Sequence, residues 1–254
     1  RHGTGVLLAR LFGRETSVIH VRSMNLYGGQ TMGDLQICLP PGAVETADVA
    51  SLLQGSSVSR MLSVPYDGSD VENTLALHAL TGAPLVVWLM DHNLGDGPHQ
   101  IPHAAMRRLL DAARLVLGIS PEFCSLYEAE FGVPVHFAPP VVEAELGQRR
   151  LLYLPPEAFQ PATGVLLGNI WSQRWLAKLA DCVASAKLPL TAFGHKSPQW
   201  VKHQALESCV QFRGFLPETD LVAELRRHPF AVVPTGTMDD DDDLPEIARY
   251  SLPS

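Results

Sequence analysis

The chain has 254 residues, 46% of them hydrophobic and 18% charged, which supplies a packed core and excludes a disordered chain, a collagen or a coiled coil. A formal net charge of −8 gives no overall attraction for nucleic acid, and no nucleic acid partner is expected. The longest apolar runs, such as Ala83 to Met90, fall short of the roughly 20 residues that span a bilayer. Arg1-His2-Gly3-Thr4-Gly5 carries no basic stretch leading into an apolar one, and Cys38, Cys124, Cys182 and Cys209 form no CxxC pair. Reduced thiols in a cytoplasmic protein are the expectation.

Taken in chain order, Ser17–Val21, Met61–Val64, Leu85–Met90, Leu115–Ile119 and Val133–Phe137 read as strands. Several lack polar alternation, as strands of a parallel sheet covered on both faces do. Between them, Ser69-Asp70-Val71-Glu72 is a capping box that predicts a helix ending near Gly82. A second helix is expected from about Pro102 to Arg114. A third starts at N-cap Ser120, with Pro121 at its first position, and stops before Gly132. This alternation predicts a doubly wound α/β domain over residues 1–140.

Residues 141–163 carry Pro155-Pro156 and Pro161 with no sustained period and read as a connector. A second series fills residues 164–254: strand Val165–Leu167, a helix through Ala184, strands Leu188–Phe193 and Val210–Phe212, helix Thr219–Arg227 and strand Phe230–Val233. Leu244 to Tyr250 begins another helix. The fold class is therefore α/β, two Rossmann-like domains of which the second is incomplete. Because a Gly-rich turn of the phosphate-binding kind follows a strand, and Gly3-Thr4-Gly5 has only two residues ahead of it, the chain reads as truncated at both ends.

Ligands of open α/β sheets bind outside the carboxyl ends of the strands. Asp91-His92-Asn93 follows the strand Leu85–Met90, so a carboxylate and an imidazole are placed there for acid–base work or for binding sugar hydroxyls. Gly168-Asn169-Ile170-Trp171 with Arg174 follows Val165–Leu167 and opens a helix. Backbone N–H groups, the helix dipole and a guanidinium together suit a diphosphate. Neither this turn nor Gly3-Thr4-Gly5 has the full G-x-G-x-x-G spacing, so no NAD fingerprint is established. His20, His78 and His136 read as packing or surface residues. Asp239 to Asp243 read as a solvated run that caps the next helix, and no metal is expected.

The ordered series Val64-Pro65-Tyr66, Leu75-Ala76-Leu77, Gly82-Ala83-Pro84-Leu85, Met90-Asp91, Ile119-Ser120-Pro121-Glu122, Pro139-Pro140-Val141, Gly168-Asn169-Ile170-Trp171, Pro229 to Pro234 with Gly236-Thr237, and Ala248 to Ser254 resembles bacterial glycosyltransferases of the two-Rossmann (GT-B) type, the large group 1, family-4-like retaining enzymes. The resemblance runs over nearly the whole chain. It implies two domains facing across a cleft and transfer of a sugar from a nucleoside-diphosphate sugar to a glycan, lipid-linked or small-molecule acceptor, with no cofactor beyond the donor itself. In such enzymes the first domain faces the acceptor. By position, Gly3 and Gly5 match the family's N-terminal Gly-rich loop, and Asp91 and His92 match its cleft-facing polar pair. Gly168, Asn169 and Arg174 fall where the leaving diphosphate is cradled, and Thr235, Gly236 and Thr237 on the loop near the donor sugar.

The chain departs from the wider family in lacking its Glu-x7-Glu pattern, since Asp239–Asp243 occupy the region of the first Glu. The basic residue and carboxylate that relatives carry after the Leu-Pro-Ser match would lie beyond Ser254. The resemblance therefore assigns catalysis to the parent protein. Three other readings remain at this stage: a non-catalytic nucleotide- or glycan-binding module, a sugar-nucleotide epimerase of the same architecture, and a dinucleotide oxidoreductase. Arg107-Arg108 is a candidate basic patch for peripheral contact with lipid.

Overall fold

The computed structural model describes residues 3–12, 17–22, 32–39, 46–53, 55–97, 100–141, 163–166, 173–194 and 204–233. The chain divides into two compact units, Arg1–Gly147 and Gln148–Ser254. Both are α/β with exclusively parallel strand pairs among the described residues, as Rossmann-like domains are.

The first unit runs α1 (Gly3–Phe12), β1 (Ile19–Arg22), β2 (Leu35–Cys38), α2 (Thr46–Leu52), β3 (Met61–Ser63), α3 (Gly68–Thr81), β4 (Leu85–Leu89), α4 (His103–Ala112), β5 (Leu115–Gly118), α5 (Pro121–Phe131) and β6 (Val135–Phe137). Strands β3, β4, β5 and β6 form one sheet in that order, and β1 pairs with β2 in a second. Sequential parallel strands joined through helices require right-handed crossovers, which put α3, α4 and α5 on one face. That face is sealed by Leu85, Val87 and Leu89, each no more than 1% exposed. Trp88 and Met90 alternate with them and point the other way. There Leu7 of α1 packs with Trp88, Met90 and Ile119, so helices cover both faces. A further cluster of Ile37, Leu39, Val49, Leu53 and Leu77, with Ile19, Val21 and Met61 packed on it, ties β1, β2 and α2 to α3 and β3.

Local chemistry sets the helix ends. Helix α3 is capped by Asp67, whose side chain accepts the Asp70 N–H at 3.0 Å, while the Asp70 carboxylate accepts the Tyr66 N–H at 2.9 Å. The reciprocal box thus lies two residues upstream of the expected Ser69–Glu72 box. An aspartate that satisfies an orphan N–H at the first turn is a strong N-cap, and here it sets the boundary. Helix α5 begins as expected, with the Ser120 hydroxyl accepting the Phe123 N–H at 3.1 Å and Pro121 behind it. Gly82 and Gly132 close α3 and α5 in the left-handed conformation, with φ of 60° and 67°. Helices α1 and α2 and strand β2 were not foreseen. They are short or apolar all round, so period alone does not reveal them. Strand β6 starts at Val135 rather than Val133, and α4 ends at Ala112, which leaves Arg114 at the mouth of β5.

The second unit runs β7 (Gly164–Leu166), α6 (Gln173–Ala186), β8 (Leu190–Ala192), α7 (Gln204–Cys209), β9 (Val210–Phe212), α8 (Glu218–Leu225) and β10 (Ala231–Val232). Its sheet has the order β10-β7-β8-β9. The strand Val210–Phe212 has the expected bounds, β7 starts one residue early, β8 and β10 are shorter than expected, and α7 is an addition. Leu176, Leu179, Ala180 and Val183 of α6 pack with Leu166, Leu190, Ala192, Leu206 and Val210 to make the core. Among the described residues no helix is long and apolar enough to cross a membrane.

Candidate functional site

In the first unit the carboxyl ends of β3 to β6 lie at one edge, and the expected residues gather there. Met90 leaves β4 buried, followed by Asp91 and His92, each partly exposed. The His92 ring stands edge-on to Phe123 and Tyr127 of α5, with centroid distances of 6.3 and 5.8 Å. Phe123, Tyr127 and Phe131 recur every four residues and stack at 4.7 and 5.4 Å, so the imidazole is seated on the end of a rigid aromatic ladder. Tyr127 and Phe123 are fully buried. At the far end His103 stacks on Phe131 at 4.5 Å and meets Glu130 at 3.1 Å.

The loop that carries His92 is closed on itself. Ile101 N–H donates to Asn93 C=O at 2.7 Å, Gly95 N–H to Ile101 C=O at 3.0 Å, and Gly97 N–H to the Gln100 side-chain oxygen at 2.9 Å. Gly95 has φ of 151°, and a Cβ there would lie 2.2 Å from that same oxygen. Only glycine fits. The connection is therefore a fixed platform, and Gln100, which sequence reasoning missed, is its brace.

Gly3 and Gly5 fall in the first turn of α1 rather than in an extended loop. Thr4 between them is buried and shares a hydrogen bond with the Tyr66 hydroxyl after β3. Together with Leu7 against Met90, this brings the start of α1 to the edge that holds Asp91 and His92. Tyr66 belongs to this edge too. Its signal was the Val64-Pro65-Tyr66 segment, which ends β3. Trp88 Nε1 donates to Ala138 C=O at 3.1 Å and ties the segment after β6 to β4. Arg107 donates to Phe131 C=O and Glu130 C=O and lies 5.1 Å over the Phe131 ring, while Arg108 pairs with Glu72.

In the second unit β7 leads to β8 and β9 on one side, and the chain then crosses to β10 on the other. This reversal is the switch point at which open α/β sheets bind ligands. Leu166 and Val232 are register partners at the ends of β7 and β10. Arg174 is the second residue of α6. Gly168, Asn169, Thr235, Gly236 and Thr237 lie outside the described residues, as do Asp239 to Asp243. Among the described residues no group of three or more His, Cys, Asp or Glu is gathered to hold a metal ion.

No protein-family model matches the chain, and no curated protein matches it. Among solved structures 32 chains match. One is Anabaena Alr3699/HepE, crystallised in complex with UDP-glucose, with 15% sequence identity and a TM-score of 0.47. The match covers 75% of this chain and 58% of that one, so this chain spans less than two thirds of that protein's length.

Proposed function

We propose that the chain belongs to a glycosyltransferase that moves a sugar from a nucleoside-diphosphate sugar to an acceptor, with retention of configuration. The observation that carries this reading is the switch point between β7 and β10. Gly168 and Asn169 follow Leu166 by two and three residues, and Thr235 to Thr237 follow Val232 by three to five. Leu166 and Val232, from which these two segments continue, are register partners at adjacent strand ends, and the reading assigns the nucleotide to that edge. Arg174 is the second residue of α6, and the reading assigns its guanidinium, with the helix N-terminus, to the diphosphate.

The chemistry follows from charge. Departure of the nucleoside diphosphate builds negative charge on its phosphates, and N–H groups with Arg174 stabilise that charge more in the transition state than before it. Such stabilisation needs no metal. The acceptor attacks from the face the diphosphate leaves, its proton passes to the departing phosphate oxygen, and Asp91 and His92 on their braced loop hold the acceptor hydroxyl.

The test is calorimetric binding of UDP-glucose, then of GDP- and ADP-sugars, to the full-length protein, followed by a transfer assay. The expected result is saturable binding that Arg174→Ala weakens about tenfold or more. Asp91→Asn with His92→Ala should leave donor affinity intact and abolish transfer. If no nucleotide sugar binds, the reading is wrong. Binding without turnover would point to the non-catalytic module, and donor interconversion without an acceptor to the epimerase.

A further inference from the structure

The opposite edge of the first unit's sheet carries a feature that the proposed transfer reaction does not use. Ser59-Arg60, Pro84 and Arg114 lead into β3, β4 and β5, and with Val86 and Leu115 they line an open groove of about 470 Å³. That volume suits a small organic ligand, for which roughly 300–1,000 Å³ is usual. The floor is apolar for a structural reason. Leu62, Val86 and Leu115 are register partners across three strands and point to one face. Trp88 and Leu117 continue that face toward the carboxyl edge, where Leu7 of α1 covers it. At the amino-terminal half of the same face Leu62 is 37% exposed. The rim is cationic. Arg60 and Arg114 are both exposed, and neither guanidinium has a hydrogen bond or ion pair among the described residues.

We infer that this edge is a second binding site, for a small amphiphilic anion that carries a phosphate or carboxylate on an apolar chain. Two guanidinium groups at the rim match the planar oxygens of such a head group. The apolar strip of Val86 and Leu115 takes the chain and gains by its removal from water. The site is independent of the transferase reading, because it sits at the amino ends of the strands and Asp91 and His92 sit at the carboxyl ends.

The experiment titrates the full-length protein calorimetrically with octyl phosphate below its micellar concentration, and in parallel with inorganic phosphate, with octanol and with vesicles containing anionic lipid. Octyl phosphate should bind saturably, one per chain. Inorganic phosphate and octanol should each bind at least about tenfold more weakly, since each supplies half of the recognition. Arg60→Gln and Arg114→Gln should each weaken octyl phosphate about threefold, as exposed charges do, and together about tenfold. Arg114 also follows the C-terminus of α4, where a cation complements the helix dipole. The melting temperature is therefore recorded for each variant, and Arg60→Gln, at no helix end, serves as the control for folding. Unsaturable binding, or equal binding by the double variant, overturns the site. So does binding to anionic vesicles with none to monomeric octyl phosphate, which assigns the arginines to a membrane surface instead.

Discussion

Replacing Gly95 by alanine tests the platform that carries Asp91 and His92. The new Cβ would sit 2.2 Å from the Gln100 side-chain oxygen and 2.5 Å from its carboxamide carbon. The Gln100 side chain is able to swing away, but it then loses the 2.9 Å bond it accepts from Gly97 N–H. That bond contributes about 0.5–1.5 kcal/mol. The backbone at φ of 151° adds strain on the order of 1–3 kcal/mol for a residue with a side chain. Gly95→Ala should therefore destabilise the loop by about 2–4 kcal/mol. Gln100→Ala alone should cost about 1 kcal/mol. The double variant removes the collision, so its cost should fall about 1 kcal/mol below the sum of the two. Hydrogen exchange of the Gly95, Gly97 and Ile101 amides, with urea unfolding of each variant, measures all three quantities. Strict additivity, or an alanine at position 95 with unchanged exchange, would refute the closed loop and the fixed seat it gives His92.

Other outcomes follow from the same structure. Ser120→Ala removes the α5 N-cap and should cost about 1 kcal/mol in urea unfolding, with His92 resonances shifting because Phe123 lies in the first turn beneath it. His20 is held below the usual imidazole range by burial and then by the Arg22 guanidinium. The unfolded chain therefore binds that proton more readily, so this contribution to stability is complete above the unfolded pKa of about 6.5 and declines as pH falls below it. His20→Gln should flatten the loss of stability between neutral and mildly acidic pH, and an unchanged slope would contradict the assignment. Burial, and after it the Glu128 carboxylate, pushes the Cys124 thiol up. Native-state labelling with a thiol reagent at neutral pH should therefore modify the exposed Cys38 and Cys182 first and reach Cys124 only on unfolding. Equal rates for all three would place α5 elsewhere.

Much of the fold is legible in the residues because the signals are local. Apolar runs such as Leu85–Met90 have no polar face to give to solvent, and buried parallel strands are their natural state. Ser120-Pro121 and Gly132 bracket α5 through hydrogen bonds made within a few residues of each other. Asp91 and His92 could be singled out for the same reason, since a strand end followed by ionisable side chains is visible along the chain. The start of α3 shows the limit, because Asp67–Asp70 and Ser69–Glu72 both satisfy the spacing and only the backbone N–H groups in place choose between them.

What tertiary structure alone decided is long-range. The Thr4 bond to Tyr66 spans 62 residues, and the Trp88 bond to Ala138 spans 50. No periodicity encodes such partners, because they depend on the order in which strands assemble. The aromatic ladder of Phe123, Tyr127 and Phe131 is visible as a four-residue spacing, yet that it seats His92 depends on β4 and β5 being neighbours in the sheet. The strand order β10-β7-β8-β9 likewise follows from which way the crossover after β9 turns, a choice made by packing helices on the sheet rather than by any single segment. Residue type named the chemistry at the strand ends, and sheet topology determined which of those ends stand side by side.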